Sequence, residues 1–331
     1  MVQHMTYLRK LSFLVILGVI GLFSFIACTE EASGPKTPLR VAYLDDPSRD
    51  TVLHAIREGI VTSDSIDVEF VLLPLPTIIQ AAPAKEYDVI EAATVGVAKA
   101  AAGGFMFNIL SPGLENFGGT LLFTAKDSGI TSPADLAGKT VVVPSFGGTF
   151  TLETRYVLHK GYGLDTSLQG GDISFIEAPP PTYGELLKSG EAAAAVLIHI
   201  PGYVMLNNPE FTMLTNVTQE FQQLSGGSSM NSVLATYPEV VAAKADALRE
   251  LRVLLGDSLA YYKKNQAEVN KAVTEARGLP PGFLEWWWEV NNYPQGEVTQ
   301  TAKDRIKAIW QAAQDIGDVK AFPSVNEHVA P

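Results

Sequence analysis

Short runs of apolar and β-branched residues alternate along most of the chain with segments whose apolar residues recur every three or four positions. The runs Leu39–Leu44 and Ile66–Leu75 predict strands, and Val52–Ile60 between them predicts a helix. Tyr87–Ala93 and Phe105–Pro112 predict two more strands. Because strands that alternate with helices build parallel sheets covered by helices, this part of the chain predicts an α/β lobe.

The same alternation begins again further along the chain. Gly118–Asp127 is apolar and contains glycines, which predicts an extended link, and Thr140–Val143 and Ala192–Ile200 then predict strands of a second sheet. A second glycine-rich link, Leu224–Thr236, leads into a segment of helical periodicity. Two α/β lobes joined by two extended links predict a clamshell that closes on a solute. The predicted lobes comprise residues 39–121 with 225–331, and residues 122–224.

The first 27 residues differ from the rest of the chain. Arg9 and Lys10 precede seventeen uncharged residues, Leu11–Ala27, and this pattern predicts a signal peptide over residues 1–27. A membrane-spanning anchor is the alternative, but the run is short for a bilayer core of about 30 Å. Cys28, the only cysteine, follows in "FIAC", which resembles the lipobox of bacterial lipoproteins. The resemblance implies a lipidated Cys28, a flexible tether over residues 28–38, and a protein anchored on the extracytoplasmic side of the cell membrane.

Composition and motifs narrow the class of function. The formal net charge of −12 and the lack of a basic cluster argue against a nucleic-acid partner. The sequence contains no G-x-S-x-G, H-E-x-x-H, Walker or C-x-x-C motif, and its five histidines are scattered. These observations favour a binding protein over an enzyme, with neither a cofactor nor a metal.

Three adjacent tryptophans, Trp286 to Trp288, lie between two helical segments near the C-terminus. Because adjacent residues cannot share one helix face, we expect Phe283, Trp287 and Val290 to point inward together. We interpret this cluster as packing rather than as a ligand cage.

The stretch "PSFGGT" follows the strand Thr140–Val143 and precedes a helical pattern over Phe150–Lys160. Helix N-termini leave backbone N–H groups without partners and carry about half a positive charge. Glycines allow a ligand close to the backbone, so Ser145–Thr149 predicts a site for an anion or a polar oxygen. A plain N-capped turn is the alternative, and Glu153 in the first helical turns opposes a strongly anionic ligand.

Three segments resemble the solute-binding proteins of nitrate-, sulfonate- and taurine-type ABC importers, which are relatives of the thiamine-pyrimidine binders. They are Asp135–Asp165, Gly184–Tyr203 and Tyr237–Leu255, and the likeness covers most of Leu39–Gly317. The resemblance implies a type II periplasmic-binding-protein fold and a monomer that holds a small molecule between its lobes. It implies delivery of that molecule to an ABC permease and its ATPase.

The solutes implied by the resemblance are a sulfonate- or nitrate-like oxyanion or a planar heterocycle such as a pyrimidine or flavin. Enzymes of the same two-lobe fold, a pyrimidine-precursor synthase or a menaquinone-pathway enzyme, are the alternative. Those enzymes lack an export signal, so the predicted signal peptide favours the binding protein.

The resemblance also places particular residues in the cleft. Thr94 stands where the family often has a serine after a short strand, and Ser145–Thr149 matches its ligand-gripping loop. His199 stands where the family often carries Trp-Glu-Pro, so an imidazole replaces an acid. The expected ligand-binding residues are Asp45, Thr94, Phe117, Ser145, Phe146, Gly147, Gly148, Thr149, His199 and Tyr203. Their aromatic members suit an organic ligand more than a bare inorganic ion.

Overall fold

A computed structural model describes residues 34–330 of the chain, and the predicted signal peptide and lipidated Cys28 lie outside the described residues. The strands are β1 (Thr37–Leu44), β2 (Ile66–Leu73), β3 (Val89–Ala93), β4 (Asn108–Pro112), β5 (Glu115–Asn116), β6 (Leu121–Ala125), β7 (Thr140–Val143), β8 (Ser174–Glu177), β9 (Ala194–Leu197), β10 (Phe211–Asn216), β11 (Ser229–Met230), β12 (Ser232–Thr236) and β13 (Asn291–Asn292). The α-helices are α1 (Pro47–Arg57), α2 (Leu75–Ala84), α3 (Thr94–Ala102), α4 (Thr149–Tyr162), α5 (Tyr183–Ser189), α6 (His199–Leu206), α7 (Val217–Ser225), α8 (Pro238–Lys264), α9 (Gln266–Arg277), α10 (Phe283–Val290) and α11 (Gln300–Asp315). Short 3₁₀ turns cover Pro133–Leu136, Pro180–Thr182 and Val325–His328.

Two five-stranded sheets form the centres of two lobes. The first has the order β2-β1-β3-β12-β4, and the second has the order β10-β6-β9-β7-β8. In the first sheet β1 runs parallel to β2 and β3, whereas β12 is antiparallel to both of its neighbours. In the second sheet β7 runs parallel to β8 and β9, and β6 is the antiparallel strand. The prediction of two α/β lobes is confirmed.

The antiparallel strand of each sheet comes from a segment that the sequence predicts to be a link. Leu121–Ala125 is a largely buried strand inside the second sheet, and Ser232–Thr236 is a buried strand inside the first. The chain therefore crosses between the sheets only over residues 113–120 and 226–231. The predicted links were too long because an apolar extended run has the same sequence pattern whether it crosses between sheets or pairs within one. The exact lobe boundaries remain a prediction.

A small third sheet joins the two crossings. β5 lies in the first crossing and pairs antiparallel with β11 of the second crossing and with β13, which follows α10. Gly119 lies beside this sheet, where a Cβ atom would come within 2.9 Å of the Asn291 amide. The C-terminal part of the chain therefore makes a third connection at the junction of the lobes.

Three helices lie where no helix was predicted: α2, α6 and α7. The prediction of a strand over Ala192–Ile200 was wrong at its C-terminal end, because β9 stops at Leu197 and α6 begins at His199. His199 has a φ of 60°, a left-handed conformation that ends the strand abruptly. An apolar run continues across that bend, so its sequence pattern does not reveal the break.

The helical periodicity of the C-terminal region is confirmed. On α8 the side chains of Leu248, Leu251, Leu255 and Leu259 are buried, and on α11 Ile306 is buried with its neighbours one turn away. None of the helices within residues 34–330 is both long and apolar enough to cross a membrane.

Candidate functional site

A cavity of about 730 Å³ is lined by residues from both lobes. The first lobe contributes the loop after β1, helix α2, strand β3 and one face of α3. The second lobe contributes the loop between β7 and α4 and the junction of β9 with α6. Parallel strands β1, β3, β7 and β9 end at this cavity, as expected for α/β sheets, whose ligands bind beyond the carboxyl ends of the strands.

Most of the cavity wall is aliphatic or aromatic. The apolar wall includes Ile78, Ile79, Ala82, Phe105, Phe107 and Phe150. Helix α2, which supplies the first three of these residues, was missed in the sequence because it contains two prolines. A wall of this kind accommodates a ligand with an apolar body.

A buried ion pair, Arg49–Glu91, marks the polar part of the wall. Nε of Arg49 donates to Oε2 of Glu91 at 2.9 Å, and its Nη2 donates to Oε1. Glu91 also accepts from Ser232 Oγ at 2.6 Å, and the guanidinium lies 4.1 Å from the centre of the Tyr293 ring. Burial alone would lower the pKa of Arg49, but Glu91 and Tyr293 raise it above the ordinary value. Arg49 is therefore charged at every physiological pH.

A second charged contact joins the two lobes. Nε2 of His199, at the start of α6, lies 2.5 Å from Oδ1 of Asp46, although the ring N–H does not point along an ideal hydrogen bond. The same oxygen accepts from the backbone N–H of Ser48 at 2.7 Å and from its hydroxyl. Burial alone would raise the pKa of Asp46, but the charges of His199 and Arg49 and the Ser48 hydrogen bonds lower it well below its usual range.

Aromatic side chains from α10 hold the His199 ring. The Phe283 and Trp287 rings each lie 4.8 Å from the imidazole, edge to face. Phe283 and Trp287 are both buried, as predicted, whereas Val290 is only half-buried and Leu284 is buried in its place. Trp287 also lines the cavity, so the packing interpretation of the cluster is incomplete for this residue.

Backbone N–H groups of the loop before α4 already have hydrogen-bond acceptors within the protein. The N–H of Gly147 donates to Ser145 Oγ at 3.1 Å, that of Gly148 donates to the Ser145 carbonyl at 3.3 Å, and that of Phe146 donates to Glu177. The Thr149 hydroxyl donates to the carbonyl of Asn231 at 2.7 Å. Three N–H groups expected to face a ligand thus have acceptors within the protein.

Five of the ten residues expected to bind ligand line the cavity: Asp45, Gly147, Gly148, Thr149 and His199. Asp45 pairs with Arg277 at 3.0 Å. The binding role of all five residues stays a prediction, and their position in the wall supports it.

The other five expected residues lie elsewhere in the structure and do not line this cavity. Thr94 is fully buried and its carbonyl accepts from Trp310, while Phe117 is 37% exposed. The Tyr203 hydroxyl donates to the Pro281 carbonyl at 2.8 Å, and Ser145 Oγ accepts from the N–H of Gly147. Phe146 is half-buried beside the loop. Their binding role also remains a prediction, with less support.

Sequence reasoning missed the polar residues that the structure brings together: Asp46, Arg49, Glu91 and Asn231. Asp46 and Arg49 belong to "DDPSR", where Asp46 caps α1 and Pro47 opens it. That cap was readable in the sequence, but nothing local shows that Arg49 turns toward Glu91 on β3. Within residues 34–330, no cluster of three or more histidine, cysteine or carboxylate residues is arranged to hold a metal ion.

The chain is similar in structure to several solved proteins. It aligns with the alkanesulfonate-binding protein SsuA from Xanthomonas axonopodis bound to MOPS, with a TM-score of 0.72 and 15% identity over 89% of this chain and 99% of that chain. The aliphatic sulphonate-binding protein SsuA from Escherichia coli gives a TM-score of 0.69 and 13% identity over 89% and 92%. A zinc-bound ligand-binding component of an ABC-type import system from Staphylococcus aureus gives 0.67 and 13% over 89% and 97%.

These likenesses are distant in sequence and show the fold. The chain has the periplasmic-binding-protein fold, as predicted, with two α/β lobes on either side of a cleft. No protein-family model matches the sequence, and no curated protein is significantly similar to it.

Proposed function

We propose that this chain is the solute-binding component of an ABC importer, which captures a small organic molecule between its lobes and delivers it to a permease and ATPase. The observation that carries the proposal is the cavity of about 730 Å³ whose wall is built by both lobes. The structural neighbours support it, because two of them are sulfonate-binding proteins and a third is the ligand-binding component of an ABC-type import system.

The cavity favours an organic solute over a bare oxyanion such as nitrate. Its volume falls within the range of about 300–1,000 Å³ that is usual for sites of drug-sized molecules, far larger than a single nitrate. Its wall is mainly apolar, and its charged or titratable side chains are those of Asp45, Asp46, Arg49, Glu91, Lys99 and His199. A molecule with an apolar body and a small polar group matches both properties.

The Asp46–His199 contact supports capture by closure. Asp46 follows β1 of the first sheet, and His199 follows β9 of the second, so this contact links the two lobes across the cleft. A solute bound beside it touches both walls and thereby stabilises the closed arrangement. Rotation would take place at the crossings, residues 113–120 and 226–231.

The alternative of an enzyme with this fold has less support from the polar groups. Ser48 and His199 both contact the same oxygen of Asp46, whereas a nucleophilic triad needs the serine to contact the histidine. The geometry therefore holds His199 in place and does not activate a hydroxyl.

The predicted export and anchoring belong to the same proposal. A signal peptide over residues 1–27 and a lipid on Cys28 would hold a monomer on the outer side of the cell membrane, where an importer collects its solute. The polar stretch before β1 would act as the tether.

The test uses the full chain isolated from its own host. Native mass spectrometry should detect one small organic molecule per chain, and removing that molecule should lower the melting temperature and increase the radius of gyration measured by X-ray scattering. After incubation with the protein, a carrier should release the same molecule chemically unchanged. Conversion of the molecule to a product would instead support the enzyme.

A further inference from the structure

Besides Nε2 of His199, which lies against Asp46, two polar atoms of cavity-lining side chains have no hydrogen-bond partner among residues 34–330. One is Nη1 of Arg49, a donor, and the other is Oδ1 of Asn231, an acceptor. Both side chains are buried, with 2% of Arg49 and 7% of Asn231 exposed. A buried polar group without a partner destabilises the protein, so each of these atoms favours a ligand that supplies the missing partner.

The remaining polar atoms of both side chains are fixed by the protein. Nε and Nη2 of Arg49 are bound by Glu91, and Nδ2 of Asn231 donates to Glu153 at 3.1 Å. Ser232, the residue after Asn231, donates to Glu91, so the backbone brings Asn231 to the same side of the cavity as the Arg49–Glu91 pair. The unpartnered donor and acceptor are therefore held in position and cannot turn away to find other partners.

The cations of the wall already have counter-charges. Among the described residues that line the cavity, Arg49 pairs with Glu91, Lys99 with Asp318 and Asp45 with Arg277, and Asp46 lies against the imidazole of His199. An anionic head would enter this buried region without a surplus cation to compensate it, which is unfavourable.

We propose that the solute carries an uncharged head in which a carbonyl-type acceptor adjoins an N–H or O–H donor, as in an amide, lactam or imide, attached to an apolar body. The carbonyl oxygen accepts from Nη1 of Arg49, and the adjoining N–H or O–H donates to Oδ1 of Asn231. The inference rests on the proposed function, since it assigns the class of solute that the same cavity holds. It departs from the sulfonates named for two of the structural neighbours.

Four probes have the same apolar body and differ only in the head group, so they measure how the head group affects binding. They are naphthalene, 2-naphthamide, 2-naphthoate and naphthalene-2-sulfonate. The dissociation constant of each for the purified full chain is measured by calorimetry at pH 8, where the two acids are ionised. We expect 2-naphthamide to bind about tenfold or more tightly than naphthalene, the scale of one or two hydrogen bonds, and more tightly than either anion.

Two variants test the two atoms separately. Arg49→Lys keeps the positive charge beside Glu91 but removes Nη1, and Asn231→Ala removes Oδ1. Each should lose most of the preference for the amide over naphthalene, measured as the ratio of the two dissociation constants for the same variant. The matched controls are Arg40→Lys and Asn207→Ala, exposed positions away from the cavity, which should retain the preference.

The outcomes distinguish this inference from the proposed function. If the carboxylate or the sulfonate binds as tightly as the amide to the unmodified chain, the uncharged head is wrong and the cavity remains a solute site. If none of the four probes binds, the apolar cavity does not take such bodies, and the proposal of an organic solute falls together with the inference. The head-group series needs no variant, so it decides the question even if Arg49→Lys does not fold.

Discussion

Glu153 is a carboxylic acid buried where the two lobes meet. It lies on α4 and is fully buried, and it accepts hydrogen bonds from Ser229 Oγ, from Asn231 Nδ2 at 3.1 Å and from Thr120 Oγ1 at 3.3 Å. Thr120 belongs to the first crossing between the sheets, and Ser229 and Asn231 belong to the second. One side chain therefore ties α4 to both crossings.

The pKa of Glu153 is raised to about 7, because burial disfavours the charged form more than the hydrogen bonds of Ser229, Thr120 and Asn231 favour it. An acid whose pKa is higher in the folded state stabilises the fold fully below its unfolded value, about 4.5, and loses that contribution as the pH rises through about 7. The protein should therefore lose stability between these two values.

Glu153→Gln should remove this dependence, because an amide stays neutral. We expect the free energy of unfolding of the variant to be close to that of the wild type near pH 5 and to exceed it by on the order of 2–3 kcal/mol at pH 8. Urea unfolding from pH 4.5 to 8 measures the difference. Parallel pH profiles for the two proteins would contradict the buried, neutral acid.

Gly148 controls the position of a cavity side chain. A Cβ atom at this position would lie 2.4 Å from the Phe150 ring, whereas one at Gly147 would meet nothing closer than Ser145 Oγ at 3.6 Å. Neither glycine has a positive φ, so alanine is compatible with the backbone at both positions. Space, and not conformation, therefore requires glycine at 148.

Gly148→Ala should displace the Phe150 ring and reshape the apolar wall. We expect the affinity for naphthalene to fall about tenfold, the scale of an overpacked site of about 1–3 kcal/mol, while Gly147→Ala changes it far less. Calorimetric titration of both variants measures the contrast. Equal affinities for the two variants would mean that the ring does not border the bound molecule.

At the scale of the elements, α11 joins the two lobes. It packs against α3 of the first lobe and α4 of the second, and Asp318, just beyond its end, accepts from Lys99 at 2.9 Å and from Arg155 at 2.7 Å. The Arg155 side chain is only 2% exposed and also donates to the Thr166 carbonyl. The charge of Asp318 therefore compensates a buried guanidinium.

Asp318→Asn should destabilise the protein strongly, because it leaves the charge of Arg155 buried without a counter-charge. Loss of one partner of a buried ion pair costs about 3–5 kcal/mol of stability. The amide oxygen of the asparagine can still accept a hydrogen bond from Arg155, so we expect a loss near the lower end of this range. The control is Glu210→Gln, which breaks the exposed pair with Lys188 and should cost less than about 1 kcal/mol. Urea unfolding at pH 7 compares them, and similar losses would show that Arg155 finds another acceptor.

The elements differ in how well the sequence predicts them. The strands β2 and β7 were predictable because β-branched residues favour extended backbone. The long α8 and α11 were predictable because one face of each is buried and the apolar period is regular. The start of α6 was not, since its break depends on the left-handed backbone of His199, which contacts from Asp46 and α10 hold in place. Strained conformations of this kind are maintained by tertiary contacts, which no local pattern records.

The site was less predictable than the fold for the same reason. The loop before α4 was found because glycines and hydroxyls in front of a helix form a local pattern. Arg49, Glu91 and Asn231 come from three separate segments, and only the pairing of β3 with β12 brings the last two together. A buried arginine has no signature in sequence that distinguishes it from an exposed one.

At the scale of the whole molecule, the proposed import function requires the chain to stay at the membrane. Its 36 acidic and 24 basic residues give a formal net charge of −12, which opposes attraction to anionic lipid headgroups. A single acyl chain gives only marginal membrane binding, so retention requires more than one chain. The motif "FIAC" predicts such an anchor at Cys28.

Cys28→Ala should therefore release the chain from the membrane without affecting its fold. In the native host, the wild-type chain should incorporate a fatty-acid probe and sediment with membranes, whereas the variant should incorporate none, since the chain has no other cysteine. Cys28→Ser is the matched control for size and should behave as the alanine variant does, because its hydroxyl is not a thiol. Because residue 28 precedes the compact unit that begins at Pro35, the melting temperature of the soluble fraction should match that of the released wild-type domain. Equal labelling of the variant and the wild type would place the lipid elsewhere, and membrane retention without labelling would favour an uncleaved N-terminal segment as the anchor.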